Sequence, residues 1–324
     1  MPILPNPDYR PPFPFTSGHL QTLYPTLFRR VPKTNPRADR IETPDGDFID
    51  LDWHHCLTRE SDRLAVISHG LEGNARKKYP LGMARILTEQ GWDVICFNFR
   101  SCSKEMNRLP RFYHAGITDD LHTVLMYGLS RQKYRKAALI GFSMGGNQTL
   151  KYLGEKPELI PPEMKGAVTF SVPCVLADSV AIMDGWQNRI YINYFMKSLI
   201  KKIRIKAEMF PDLIDTDGLN EMTSFIPFDN RYTAPLHGFR DASDYYRSCS
   251  SRQFLEAIRV PTLLIQANDD PFLSDSCYPL PEAEASSFLH LEIPDFGGHL
   301  GFMGKWHQVH YWSELRAAAF LSEI

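Results

Sequence analysis

The stretch Ala137-Ala-Leu-Ile-Gly-Phe-Ser-Met-Gly-Gly-Asn147 decides the fold of this chain. It starts as a short apolar strand, passes through a Gly-x-Ser-x-Gly turn that contains Ser143, and continues with a helical pattern. A serine on so tight a strand-to-helix turn is pushed out into a cleft, and only residues as small as glycine let the two backbones pass each other. The pattern therefore predicts that Ser143 is a nucleophile at the carboxyl end of a buried strand.

Apolar runs and helical patterns alternate on both sides of this stretch. Continuous apolar strands separated by helices predict an α/β fold with a mostly parallel central sheet and helices on both faces. The predicted strands are residues 64–68, 92–98, 137–142, 166–171, 260–266 and 288–293. The predicted helices outside the middle of the chain are residues 79–90, 119–132, 147–154 and 306–322.

Changes in this pattern predict three parts of the chain. Nine of the 24 prolines lie in the first 36 residues, so we expect residues 1–40 to be an extended arm without helix that packs on the core. Residues 41–172 and 259–324 are predicted to form the core. Between residues 173 and 258 the alternation breaks, and this insertion is predicted to be a helical cap over the carboxyl ends of the strands.

Composition and charge exclude several functional classes. Lys and Arg number 36 and Asp and Glu 38, a formal charge of −2, so there is no electrostatic reason to bind nucleic acid. The six cysteines lack Cys-x-x-Cys spacing and no His and carboxylate cluster has ligand spacing, so we expect reduced thiols, no metal and no cofactor. No secretory signal and no apolar run of about 20 residues is visible, so we expect a cytoplasmic protein without a membrane span.

A serine hydroxyl is a poor nucleophile at neutral pH, so Ser143 needs a base, an orienting carboxylate and an oxyanion hole. His299 follows the last predicted strand in a glycine-rich loop, from which a side chain can be aimed into a cleft, and it is the predicted base. Two carboxylates follow the preceding strand. Asp270 is favoured over Asp269 because apolar residues that can anchor the loop come directly after it, and Asp295 is a weaker rival that shares a loop with the base.

The oxyanion hole needs two backbone N–H groups. One is predicted to come from Met144, the residue after the nucleophile. The other is predicted to come from Leu71, in the loop that follows an early strand. In the same loop, we interpret His69 as a structural brace without a catalytic role.

Several motifs spread over nearly the whole chain resemble one family. They are Gly18-His-Leu-Gln-Thr-Leu-Tyr-Pro-Thr-Leu-Phe-Arg-Arg30, His69-Gly-Leu-Glu-Gly73, Phe97-Asn-Phe-Arg100, Tyr113-His-Ala-Gly116, the turn at Ser143, Asn268-Asp-Asp-Pro-Phe272 and Gly298-His299. With these motifs the chain resembles the YheT-type esterases of bacteria, a branch of the α/β-hydrolase superfamily that includes eukaryotic abhydrolase-domain lipases and plant embryo-abundant proteins.

The resemblance implies an α/β-hydrolase fold, a triad of Ser143, Asp270 and His299, and hydrolysis of carboxylic esters. One departure concerns a loop near the cleft, where such proteins often carry Arg-Gly-Cys-Ser-Gly and this chain has Arg100-Ser-Cys-Ser-Lys104. We expect this departure to affect substrate preference and to leave the triad intact.

A basic amphipathic helix is predicted within the cap, over residues 188–206. Its apolar face is predicted to pack on the core; alternatively, it lines or gates an acyl-binding pocket while the basic side contacts anionic lipid. The substrate hypothesis is therefore a small-molecule or lipid ester with a medium or long apolar acyl group. The apolar positions are Ile192, Phe195, Met196, Leu199, Ile200 and Ile203, and the basic ones are Lys197, Lys201 and Arg204.

The leading functional prediction is a metal-independent serine hydrolase that cleaves carboxylic esters through an acyl-enzyme. The same residues could serve an acyltransferase or a thioesterase, in which an alcohol or a thiol replaces water or leaves. A rival from a different class is a non-catalytic binding protein on the same fold. The complete Ser, Asp and His set argues against that rival.

Overall fold

The computed structural model describes residues 3–5, 7, 9–32, 34–56, 60–305 and 308–324. The strands in these residues are β1 Arg37–Glu42, β2 Phe48–His54, β3 Arg63–Ser68, β4 Asp93–Phe97, β5 Lys136–Phe142, β6 Met164–Phe170, β7 Thr262–Ile265 and β8 Leu289–Glu292. They form one sheet in the order β1-β2-β4-β3-β5-β6-β7-β8. β2 pairs antiparallel with β1 and β4, and every other neighbouring pair is parallel.

The helices connect the strands and fill the stretch between β6 and β7. They are α1 Gly18–Phe28, α2 Lys78–Glu89, α3 Thr118–Ser130, α4 Met144–Glu155, α5 Leu176–Met183, α6 Arg189–Met209, α7 Phe225–Phe228, α8 Ala234–Leu236, α9 Ala242–Cys249, α10 Leu280–Ala285 and α11 Trp312–Ser322. All six predicted strands are therefore present, and four of the helices lie at or close to their predicted positions.

Alternate residues of the central strands face two separate cores. In β3, Leu64 and Val66 belong to the core that α3 and α4 cover, whereas Ala65 and Ile67 belong to the core that α2 and α11 cover. Because helices cover both faces, a strand such as β4 is buried along its whole length. The prediction of a mostly parallel sheet with helices on both faces is confirmed.

The N-terminal arm departs from the prediction of an extended segment. Gly18–Phe28 is a helix, α1, with Pro25 inside it. A proline in a helix interior removes one backbone hydrogen bond, so the helix propensity of residues 18–28 does not by itself explain why they form a helix. Gln21, Thr22 and Pro25 are buried, and tertiary packing of this face supplies the missing stability. The expectation of an arm without helix is wrong.

Residues before α1 contact the sheet, and the terminal helix is shorter than predicted. Before α1, the Leu4 N–H donates to the Leu291 carbonyl of β8 at 2.9 Å. The terminal helix begins at Trp312, later than predicted; residues 306 and 307 lie outside the described residues, and residues 308–311 are not helical.

The stretch between β6 and β7 contains α5 to α9, of which α6 is the longest with 21 residues. The six apolar positions predicted on one face of α6 are buried or half-buried, whereas Lys197, Lys201 and Arg204 are exposed. The predicted amphipathic helix is therefore present, and its apolar face packs against the rest of the protein.

Candidate active site

Ser143 lies at the sharp turn between β5 and α4. Its backbone has φ of 54° and ψ of −118°, a combination that an L-residue adopts only where its surroundings enforce it. The flanking glycines allow the close approach: a Cβ on Gly141 would lie 2.6 Å from the Gly145 carbonyl oxygen. A Cβ on Gly145 would lie 2.5 Å from the carbonyl oxygens of Ser68 and His69. The predicted strand, turn and helix thus occur in the predicted order.

The structure brings the side chains of Ser143, His299 and Asp270 together. The Ser143 hydroxyl and His299 Nε2 are 2.8 Å apart, and His299 Nδ1 lies 3.0 and 3.1 Å from the two Asp270 carboxylate oxygens. Because the ionised carboxylate only accepts, Nδ1 carries the proton and Nε2 is free to accept from the hydroxyl. The Asp270 side chain is fully buried and that of His299 is 9% exposed.

The other two candidate carboxylates have different partners. Asp269 accepts a hydrogen bond from the Gly298 N–H at 2.8 Å, and it thereby holds the loop that carries His299. Burial raises the pKa of Asp269. Asp295 forms an exposed ion pair with Arg10 at 3.1 Å. Within the described residues, Asp270 is the carboxylate that contacts the imidazole.

The two predicted oxyanion donors lie on segments that pack against each other at Ser143. A Cβ on Gly70 would lie 3.2 Å from the Ser143 Cβ, so the loop that contains Leu71 runs beside the serine side chain. Met144 is the first residue of α4, where backbone N–H groups have no partner within the helix. In the part of the chain that the structure describes, neither the Leu71 nor the Met144 N–H donates to a protein acceptor.

His69 is a buried brace of this loop. Its Nδ1–H donates to the Gly70 carbonyl at 2.7 Å, and its Nε2 accepts from the Phe99 N–H at 3.1 Å. Burial lowers the pKa of His69 to about 3, so the ring stays neutral with both nitrogens occupied. This arrangement agrees with the interpretation of His69 as a structural residue.

The comparison with known proteins identifies the family. A family model described as the alpha/beta hydrolase fold matches residues 66–189. The esterase-family protein YheT of Escherichia coli (strain K12) is 35% identical over 294 residues, which cover 90% of this chain and 85% of YheT. The chain belongs to the YheT-type esterase family of α/β hydrolases. The predictions of this family, of its fold and of a hydrolase are confirmed.

Other relatives extend the similarity beyond bacteria. Phospholipase ABHD3 of Bos taurus is 29% identical, with a match that covers 88% of this chain and 71% of the phospholipase. Among solved structures, an esterase of Pyrococcus furiosus superposes with a TM-score of 0.59 at 17% identity, covering 89% of this chain and 90% of that one. At that identity the structural similarity concerns the fold alone.

The described residues contain neither a metal-binding cluster nor a membrane-spanning helix. No group of three or more His, Cys, Asp or Glu side chains in these residues could hold a metal ion. In the same residues, no helix is both long enough and apolar enough to cross a lipid bilayer.

The N-terminal helix α1 is a part of the site that the sequence analysis missed. Thr22 Oγ1 accepts a hydrogen bond from the His299 N–H at 2.8 Å and donates to the Gly18 carbonyl at 2.7 Å. A Cβ on Gly298 would lie 2.3 Å from that same carbonyl oxygen, so α1 and the histidine loop are in direct contact. The sequence motif that begins at Gly18 covers this helix, but the motif alone does not indicate which part of the protein it contacts.

The insertion also reaches the site. Asn188, just before α6, donates to the Pro271 carbonyl at 2.8 Å, next to the carboxylate at position 270. The Tyr191 ring packs on Phe272 with centroids 4.7 Å apart, and Phe272 packs on the imidazole at 4.2 Å. His19 of α1 bonds the Tyr191 hydroxyl at 3.1 Å. Helices α1 and α6 therefore meet beside the histidine.

We expect Thr22→Val to lower kcat by about 10-fold, because the His299 N–H loses its acceptor and the imidazole loses its fixed position. Steady-state hydrolysis of a p-nitrophenyl ester measures the effect. Thr26→Val is the matched control, since Thr26 lies one turn further along α1 and is exposed. A Thr22→Val enzyme with kcat within twofold of the control would contradict the role given to this hydrogen bond.

Proposed function

We propose that the protein hydrolyses carboxylic esters through an acyl-enzyme on Ser143, with His299 as general base and acid and Asp270 as the orienting carboxylate. The observation that carries this proposal is the continuous set of contacts from the serine hydroxyl to His299 Nε2 and from His299 Nδ1 to the carboxylate. Such contacts are what an unactivated hydroxyl needs in order to attack a carbonyl carbon. Membership of an esterase family supports the same proposal.

In the proposed reaction, Ser143 Oγ forms a bond to the ester carbonyl carbon while its proton passes to His299 Nε2. The carbonyl oxygen becomes an oxyanion that accepts hydrogen bonds from the Leu71 and Met144 N–H groups. The imidazolium then gives its proton to the departing alcohol, which leaves the acyl group on the serine. A water molecule, deprotonated by the same imidazole, then forms a bond to the acyl carbon. The bond from that carbon to Ser143 Oγ breaks, the imidazolium returns its proton to Oγ, and the acid leaves. Asp270 keeps the proton on Nδ1 throughout and stabilises the imidazolium.

The decisive experiment tests Ser143 directly. We expect a fluorophosphonate probe to label the wild-type protein, and we expect Ser143→Ala to lose both labelling and at least about 10³-fold of ester hydrolysis. Mass spectrometry of the labelled peptide locates the modified residue. A non-catalytic binding protein would show neither labelling nor turnover, and labelling of another serine would overturn the assignment.

The two neighbouring aspartates provide a matched control. Asp270→Asn is expected to lower kcat by about 10⁴-fold, the size of the loss in known triads, because the amide no longer fixes the tautomer of His299. Asp269→Asn is expected to lower kcat far less, since its amide oxygen still accepts a hydrogen bond from the Gly298 N–H. Equal losses in the two variants would count against the assignment of Asp270.

We infer further that the acyl group is apolar. An aromatic series leads from the imidazole into the insertion: Phe272 packs on His299, and Phe195 of α6 lies 6.4 Å from Phe272 and 6.2 Å from Phe225 between ring centroids. Met144 belongs to the same apolar cluster. An acyl chain on Ser143 that extends in this direction meets carbon surface, and its burial favours longer chains. We propose that residues 173–258 act as the cap that supplies this surface.

Chain-length selectivity tests the apolar site. We expect kcat/KM for p-nitrophenyl esters to rise from the acetate to acyl groups of about eight carbons by 10-fold or more, since each buried CH₂ contributes about 0.8 kcal/mol. Phe195→Ala should reduce the rise without lowering acetate hydrolysis equally. Phe254→Ala is the control, because this half-buried ring lies beside Lys151 and Gly154 in the second half of α4. Strict preference for acetate would refute the proposal.

We also propose a peripheral lipid contact through the cap. Trp186 is 83% exposed, Ile190 62% and Tyr194 56%, although apolar side chains of this size are usually buried. Ile190 and Tyr194 are one turn apart on α6, and the basic residues Lys197 and Lys201 continue the same face. Apolar residues followed by lysines along one helix face suit the surface of an anionic bilayer.

Vesicle binding tests this contact. We expect the wild-type protein to cosediment with vesicles of phosphatidylcholine and phosphatidylglycerol, and the Trp fluorescence to shift to shorter wavelength on binding. The double variant Trp186→Ser/Ile190→Ser should bind at least about 10-fold more weakly. Leu159→Ser is the control, since Leu159 is 55% exposed and follows the far end of α4. Equal binding of the double variant and the control would contradict the proposal.

A further inference from the structure

Glu72, the residue after the proposed oxyanion donor Leu71, is a buried carboxylate in a strained backbone. Its side chain is 2% exposed, and its φ is 52°, in the left-handed region that L-residues other than Asn and Asp rarely adopt. Burial of a charge and a left-handed backbone each cost free energy, so both persist only where neighbouring groups compensate them.

The compensating groups come mainly from the insertion. Lys202 Nζ lies 2.7 Å from Glu72 Oε1, and the Ser198 hydroxyl, one turn earlier on α6, donates to Oε2. Tyr113 contributes from the core: its hydroxyl donates to Oε1 and accepts from the Glu72 N–H at 3.2 Å. Lys202 Nζ also donates to Cys102 Sγ at 3.1 Å. Both oxygens of the carboxylate are thus bonded to α6.

Groups of the core fix the backbone on both sides of Leu71. The Gly70 N–H donates to the Tyr79 hydroxyl at 2.9 Å, and the Gly73 N–H donates to the Gly70 carbonyl at 3.0 Å. With the Glu72 N–H on Tyr113, three of the four consecutive amides in this described loop have protein acceptors. The Leu71 N–H is the one in this loop that remains available.

We propose that Glu72, Lys202 and Ser198 are positioning residues through which the cap helix α6 sets the direction of the Leu71 N–H. The proposal rests on the proposed function, because it requires that the Leu71 amide stabilises the oxyanion. When α6 is seated, Glu72 is paired and its left-handed backbone is held. When α6 is displaced, Tyr113 is the one partner that the Glu72 carboxylate keeps among those named above, and the loop of residues 69–73 relaxes. The oxyanion hole is therefore complete only with the cap in place.

Lys206, a second lysine on α6, allows an effect on the oxyanion loop to be distinguished from general docking of the cap on the core. Lys206 Nζ donates to the Asn107 carbonyl at 2.7 Å and to the Leu109 carbonyl, so it also fastens α6 to the core. Its bonds do not involve the loop of residues 69–73. Lys202, with a side chain 12% exposed, and the fully buried Lys206 are thus matched in residue type and helix, and they differ in whether they bond the oxyanion loop.

The experiment compares Lys202→Met with Lys206→Met in the full chain. Lys202→Met is expected to lower kcat for a p-nitrophenyl ester about 10²-fold with KM within about threefold, and to slow fluorophosphonate labelling in proportion, because an oxyanion donor acts in the transition state. Lys206→Met is expected to lower Tm and to leave kcat within about threefold.

Two further variants keep the proposal falsifiable if Lys202→Met folds poorly. Glu72→Gln/Lys202→Met should recover at least 10-fold of the lost kcat, because a neutral amide no longer needs a buried cation. Ser198→Ala leaves the ion pair intact and should lower kcat about fivefold with KM unchanged. A Lys202→Met kcat within threefold of wild type, equal kcat losses for the two lysines, or a folded double variant without recovery would overturn the proposal. If any of these outcomes is observed while Ser143→Ala is inactive, the proposed function is retained and only the positioning role of Glu72, Lys202 and Ser198 is rejected.

Discussion

The backbone of Ser143 is the constraint on which the rest of the site depends. With φ of 54° and ψ of −118°, it occupies a region that costs an L-residue free energy, so the turn exists only because the parallel sheet holds it. The Ser143 N–H donates to the Phe170 carbonyl of β6 at 2.8 Å, and Gly145 lets α4 start against the end of β3. The direction of the Ser143 side chain is therefore fixed, and the imidazole of His299 has to be positioned relative to it.

The imidazole reaches that point because its loop is held by three parts of the chain that are distant in sequence. Asp269 accepts from the Gly298 N–H, Thr22 accepts from the His299 N–H, and Ser171 Oγ accepts from the Leu300 N–H at 3.2 Å. Three consecutive amides are therefore fixed from the β7 loop, from α1 and from the end of β6. An imidazole held in this way, acting as the proposed base, loses little conformational entropy when the reaction begins, which is the benefit of preorganisation.

Those features that depend on a local pattern could be predicted from the sequence. A serine between two glycines, a histidine in a glycine-rich loop and an aspartate before an apolar anchor each follow a buried strand, and parallel strands bring their carboxyl ends to one edge. The helix of the arm could not be found in this way, because Pro25 lowers its local propensity and packing against the histidine loop forms it. The pairing of Glu72 with Lys202 joins residues 130 positions apart, and no periodicity indicates it.

The electrostatics of the oxyanion loop explain why such a pairing is needed. A carboxylate one residue away from a donor to the proposed oxyanion would repel the negative charge that develops there, and in a buried site little water screens that repulsion. Lys202 places a positive charge 2.7 Å from the Glu72 carboxylate, so the pair is close to neutral when seen from the reacting oxygen. In the proposed mechanism, the backbone amides then act on the oxyanion without an opposing charge. A buried glutamate is thus compatible with this loop only when a cation from the insertion accompanies it. In the proposed mechanism, this requirement couples the insertion to the chemistry by charge as well as by shape.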